Sequence, residues 1–428
     1  MATSTRSMPG PSRVLSKRGQ FRPILPAEIT LSINTTLTKR SDSWMTRFRR
    51  EFLSLLSGAV VTSAGCFGGT TRNETETQTE TPTTTFPRAA QSNLRWRYQT
   101  GYYVYSSPTI SDGTLYVGSE DHYLYALDAK TGELQWRFET GDAVNSSPVV
   151  HDGTVYFGSD DGNIYALNLA GVEKWHFHTG NVIFGPPTVA NGTVYKGSDD
   201  GQMYALEAET GKLRWRQRTG AISGPAVVTD GRVYAGSANK TFYALDASSG
   251  SIPWTLSLDG PVYTGVTLKG KSLYFASGKS IYAVRTDGST RWSYSVGAGD
   301  SIALTPAVAH GLVYAADDQE NAFAIDAQSG HLAWKLDLGN GIIESSPAVA
   351  NGLVYYGHEG EPSGISALDA RTGEVRWRYT VDDIVESSPL VHDDTVYFGC
   401  WDDYVYAIDA TPKQQSRRTE PQHTGTTN

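Results

Sequence analysis

The sequence predicts an all-β fold, an eight-bladed β-propeller of four-stranded antiparallel blades, and three observations predict it. Tryptophans recur at 96, 136, 175, 215, 254, 292, 334 and 377, with gaps of 38 to 43 residues. A fixed period of about 40 residues in a chain rich in tyrosine and glycine marks propeller blades. Turn dipeptides recur in step with it, at Asp112-Gly113, Asp152-Gly153, Asn191-Gly192, Asp230-Gly231 and Asn351-Gly352. Such pairs accept positive φ and suit two-residue hairpins, so each unit reads as four antiparallel strands. The last aromatic segment, Tyr406-Ala407-Ile408-Asp409, has no tryptophan strand after it, whereas Trp96 precedes the first unit. The Trp96 strand is therefore the spare one, expected to pair with the final blade and close the ring.

Taken in chain order, residues 1–44 read as a non-native or disordered extension, with translation expected to start at Met45. Residues 45–66 have a basic start, a short apolar run from Phe52 to Ala64 and small residues before a cysteine, the layout of a signal peptide. The apolar run falls short of the ~20 residues of a membrane span. Arg49 and Arg50, followed by Glu51-Phe52-Leu53, resemble the twin-arginine export motif. Ser63-Ala64-Gly65-Cys66 resembles a lipobox, which implies lipid attachment at Cys66. Residues 67–92, dominated by Thr, Glu, Asn, Gln and Pro, bury too little surface to fold and read as a disordered tether. The propeller is expected over 93–411, and 412–428 as a disordered tail.

Within the propeller, one spacing repeats: Ala, an acid two residues on, Gly six on and Trp ten on. It is complete at Ala126/Asp128/Gly132/Trp136, Ala244/Asp246/Gly250/Trp254, Ala324/Asp326/Gly330/Trp334 and Ala367/Asp369/Gly373/Trp377, and kept with Glu207 at Ala205/Gly211/Trp215. Two copies, ending at Trp175 and Trp292, are one residue short. Small Ala permits close approach, the acid caps the turn, Gly takes the left-handed conformation and Trp buries a large plate between blades. These residues read as architecture. The pattern resembles the tryptophan-docking repeat of the pyrroloquinoline-quinone-like (PQQ-like) propellers, and a propeller behind a lipobox and tether resembles the BamB-like lipoproteins among them.

Charge narrows the function. From Cys66 onward the chain carries 26 basic and 42 acidic groups, a net charge of −16. Such a surface repels nucleic acid, so no nucleic-acid partner is expected, and it suits a halophile. With two cysteines, Cys66 and Cys400, stability must come from packing rather than from disulfides. No nucleophile elbow, phosphate-cradling loop or zinc spacing is present.

The residues that enter each blade's first strand vary on the repeated pattern: Tyr105, Asn145, Phe184, Ala303, Glu344 and Glu386. Glu344 and Glu386 stand at equivalent places in consecutive blades, so their carboxylates are candidate oxygen ligands for Ca²⁺, against the plainer reading of two solvated rim glutamates. His176 and His178 alternate on one strand and read as an exposed pair. The resemblance implies a second reading, a quinoprotein dehydrogenase with PQQ and Ca²⁺ on the axis. The blades follow one another almost without interruption, and no adjacent cysteines occur. The expectation is therefore a monomeric, non-catalytic scaffold without a cofactor, outside the cytoplasm, lipid-anchored to the membrane and partnered by envelope or cell-surface proteins.

Overall fold

The computed structural model describes residues 93–297, 301–302, 304–339, 343, 345–360 and 362–411. The signal, lipobox and tether residues, including Arg49, Arg50 and Cys66, lie outside these, as do Glu344 and Ala303. Among the described residues, strands β1 to β32 in chain order form eight four-stranded antiparallel sheets. The first blade is β2 (Thr109–Ser111), β3 (Thr114–Gly118), β4 (Tyr123–Asp128) and β5 (Leu134–Glu139), in that order across the sheet. The inner strands of successive blades touch one another, which places them around the axis.

The turn residues explain the hairpins. Asp112 (φ 49°) and Gly113 (φ 76°) both sit in the left-handed region, as do Asn351 (φ 53°) and Gly352 (φ 75°). Two consecutive positive φ values give the turn whose twist matches the flanking strands.

The spare strand does what its sequence position predicts. β1 (Leu94–Gln99) is the outer strand of the last blade, antiparallel to β32 (Tyr404–Asp409), with Trp96 opposite Ala407 and Arg97 opposite Tyr406. A second closure runs near the axis. The Ser107 N–H donates to Ser147 Oγ (2.9 Å), Ser346 N–H to Ser388 Oγ (3.0 Å) and Ser388 N–H back to Ser107 Oγ (3.0 Å). The last blade is thereby tied to the first at both its outer and its inner strand.

Each tryptophan docks on the blade that follows. The Trp96 indole N–H donates to the Ala129 carbonyl (3.0 Å), Trp175 to Ala208 (3.0 Å), Trp215 to Ala247 (3.0 Å), Trp334 to Ala370 (3.1 Å) and Trp377 to Ala410 (3.1 Å). The Tyr397 hydroxyl donates to the same Ala129 carbonyl (3.0 Å) and its ring tilts against Trp96 at 5.9 Å. The repeat glycine lies directly under the plate: a Cβ on Gly132 would stand 2.6 Å from Trp96 Cδ2. Asp128 caps the same turn, accepting the Lys130 and Thr131 N–H groups (2.9 and 2.8 Å).

Two refinements concern the shorter copies. At the first, Asn168 takes over the cap and the Leu169 carbonyl receives Trp136 at 2.9 Å, so nothing is lost. At the second, Arg285 cannot cap, Asp287 caps Ser289 instead, and the Trp254 indole N–H finds no acceptor among the described residues. Trp136, Trp254 and Trp292 are half-buried rather than fully buried.

Candidate binding face

Antiparallel blades put their connections at two ends. The Asp-Gly hairpins and the Trp-docking turns lie at one end. The other end carries the long entering loop from the outer strand of the preceding blade and the loop between the second and third strands. This loop end is the candidate functional face.

A repeated set of hydrogen bonds holds it. The N–H of Glu120 donates to the Tyr103 carbonyl (2.9 Å), Asp160 to Ala143 (2.9 Å), Asp199 to Val182 (3.3 Å) and Trp401 to Ile384 (3.0 Å). One residue further along, Asp121 accepts the Gly101 N–H (2.6 Å) and the Tyr125 hydroxyl (2.5 Å), and Asp161 does the same for Gly141 (2.9 Å) and Tyr165 (2.6 Å). These carboxylates are structural, and accepting several bonds lowers the Asp161 carboxyl despite its burial.

On this scaffold two side-chain positions per blade vary. In the second blade Asn145 donates to Asp160 Oδ2 (2.9 Å); at the equivalent pair of the eighth, Trp401 Nε1 donates to Glu386 Oε2 (3.1 Å). Burial drives the Asp160 carboxyl up to about 6, with Asp142, Asp161 and Asp199 adding to the rise and the Asn145 amide opposing it. Glu386 is thus a buried residue bonded to an indole, not the solvated rim glutamate of the plainer expectation. Its proposed companion, Glu344, falls outside the described residues. Among the described residues no group of three His, Cys, Asp or Glu side chains is placed to hold a metal ion. His176 and His178 are engaged separately, with Glu173 (2.7 Å) and Asn163 (3.1 Å). Cys400 is buried, as its small size suggests, and burial pushes its thiol well up.

Three features escape a reading of the repeats alone. Lys196 stands in a β-strand (Thr193–Gly197) where other blades carry Val117, Phe157 or Phe398. It is 2% exposed, its ammonium has no hydrogen-bond partner among the described residues, and burial pulls it down to about 7 against the opposing charge of Asp199. His358 is likewise buried, beside Ser366 (3.1 Å), and burial with the Arg378 charge lowers it to about 3. Finally, Trp401 lies outside the 40-residue period and stacks on Tyr103 (5.2 Å, 14°), which stacks on Tyr102 (4.2 Å, 24°), with Tyr105 edge-on to the indole (5.0 Å, 71°). An out-of-period tryptophan was the one signal available in the sequence.

The indole-to-carbonyl seam, repeated from blade to blade and sealed by the first strand, is the geometry against which relatives are judged. The profile of the family described as outer membrane protein assembly factor BamB matches residues 62–181, 171–322 and 277–427. The chain belongs to that family. The resemblance to the PQQ-like repeat propellers and to BamB therefore holds. The BamB of Shewanella oneidensis is 33% identical over 120 residues, 24% of this chain and 30% of that protein. The BamB of Yersinia pestis is 29% identical over 162 residues, 34% and 40% of the two chains. The matches thus span less than half the length of these relatives. The crystal structure of Moraxella catarrhalis BamB superposes with a TM-score of 0.65 at 15% identity, covering 74% of this chain and 99% of that one. The quinohemoprotein alcohol dehydrogenase of Comamonas testosteroni gives 0.63 at 17% identity, covering 78% and 80%. At such identities these two structures speak to the fold alone.

Proposed function

We propose that this BamB-family propeller is an exported, membrane-anchored scaffold that binds envelope proteins without catalysing a reaction. The carrying observation is the loop end itself, where a constant hydrogen-bonded scaffold presents side chains that change from blade to blade. The family supports a protein partner, since its relatives are named for the assembly of outer membrane proteins. In this reading Arg49 and Arg50 direct export, and Cys66 carries the lipid. Residues 67–92 tether the ring, which the chain enters at Leu94, at the turn end opposite the loops. The anchor then holds the protein at the membrane, outside the cytoplasm.

The test is chemical cross-linking of the full chain in its native membranes, followed by mass spectrometry. Envelope proteins that cross-link through the loop end are the expected outcome. Turnover of a redox dye on addition of PQQ and Ca²⁺, with no envelope protein captured, would instead establish the dehydrogenase reading. Cys66→Ala is expected to move the protein from the membrane to the soluble fraction; unchanged membrane association would remove the anchor from the account.

A further inference from the structure

The entering loops of the repeated scaffold are not all capped alike: Gly220 and Gly260 stand where others carry an Asx, and at the seam between the last blade and the first aromatic rings take part instead. In three other entering loops an Asx side chain caps the N–H of the next residue: Asp142 to Ala143 (2.8 Å), Asn181 to Val182 (2.8 Å) and Asp383 to Ile384 (2.9 Å). Tyr102 occupies that position in the first entering loop and forgoes the cap, although the loop keeps the same backbone bond from Glu120 to Tyr103. Where other blades place Glu120, Asp160 or Asp199, the eighth places Trp401. The exchange gives up local hydrogen bonding that the fold uses elsewhere and gains a line of stacked rings, Tyr102 on Tyr103 on Trp401, ending at an outer tyrosine that is 47% exposed.

Carboxylates surround this line. Asp383 and Asp403 both bear on the Tyr103 hydroxyl, and Asp403 Oδ1 is a buried acceptor atom with no hydrogen-bond partner among the described residues. Glu386, buried, accepts the N–H at the edge of the indole. Ring faces carry negative potential and attract a guanidinium or ammonium, and carboxylates beside them supply the charge to hold it. Tyrosine and tryptophan are also the side chains that dominate binding energy at protein interfaces.

We infer that this aromatic step at the closing seam docks an arginine or lysine side chain carried by an extended segment of a protein partner. The exposed Tyr102 and half-buried Tyr103 are backed by the buried Trp401 from the opposite end of the chain, so the step offers a firmly held ring face on which a side chain can lie. This rests on the scaffold reading above and names the surface and the chemistry of its partner.

The probe is a Gly-Ser peptide bearing several arginines, titrated calorimetrically into the full chain, beside the same peptide with neutral citrulline in place of arginine. The arginine peptide should bind and the citrulline peptide should not. Tyr102→Ala should weaken binding about five-fold, the size of an exposed cation–π contact. Tyr102→Phe, which keeps the ring, should restore it. Asp152→Asn, in a hairpin turn at the opposite end, controls for general attraction to an acidic protein and should change little. Equal weakening by Asp152→Asn and Tyr102→Ala, indifference to Tyr102→Ala, or preference for a neutral oligosaccharide over the peptide would each overturn the assignment. If Tyr102→Ala leaves peptide binding unchanged while envelope proteins still cross-link, the scaffold reading stands and only this surface falls.

Discussion

At the scale of single residues, Lys196 is the side chain most at odds with its surroundings. A buried ammonium without a partner destabilises the fold, and an apolar side chain of similar length relieves it. Lys196→Met is therefore expected to stabilise the protein at neutral pH by roughly 1–4 kcal/mol, read as a higher denaturant midpoint. The pH dependence follows from the lowered ammonium. Between about 7, the folded value, and 10.5 the unfolded chain holds a proton that folded Lys196 has released. Stability should then rise with pH across that window, by up to about 1.4 kcal/mol per unit. Unfolding curves at mildly alkaline pH should show this slope in the wild type and not in Lys196→Met; equal slopes in both would refute the burial of the charge. The repeat glycine offers an independent check. Gly132 has φ 75° and faces the Trp96 ring at 2.6 Å from a Cβ. Gly132→Ala should cost roughly 2–4 kcal/mol from backbone strain and overpacking together.

At the scale of the element, the seams are alike in plan and unequal in strength. Trp334 gives its N–H to Ala370 at 3.1 Å, whereas the Trp254 N–H has no acceptor among the described residues. Replacing each with phenylalanine separates the hydrogen bond from the plate. Trp334→Phe should destabilise more than Trp254→Phe, by about 1 kcal/mol, and equal losses would show that the indole bond contributes nothing. The seams also show what a sequence can disclose. Spacing alone located the eight tryptophans, the left-handed turns and the spare strand, because local turn chemistry and a fixed period report them directly. It could not tell that one short copy keeps its indole bond and the other loses it. That difference depends on which carbonyl the following turn presents, and Arg285 in place of an acid is the only trace of it.

At the scale of the whole molecule, the face that matters is built from residues far apart in sequence. Tyr103 and Trp401 stack across the seam only because β1 crosses to the last blade. A repeat-by-repeat reading singled out Tyr105 and Glu386 as variable positions but could not join them to Trp401, since closure lies beyond any single repeat. The burial of Lys196 was hidden for a related reason: a lysine within an apolar strand reads as exposed until the neighbouring blade is in place. A ring held by eight similar seams is only as cooperative as its closing one. Loss of the β1 pairing should thus expose two blade faces at once and lower thermal stability more than loss of any single indole bond.

The measurement that bears most directly on closure is an engineered disulfide between Gln99 and Tyr404, Cα partners across the β1–β32 ladder. In a Cys66→Ser background, Gln99→Cys with Tyr404→Cys is oxidised and the tryptic peptides are identified by mass spectrometry. The account predicts an intramolecular bond joining the peptides from the two ends of the propeller in a monomer. Cysteines that stay reduced, or that bond only between molecules, would contradict it.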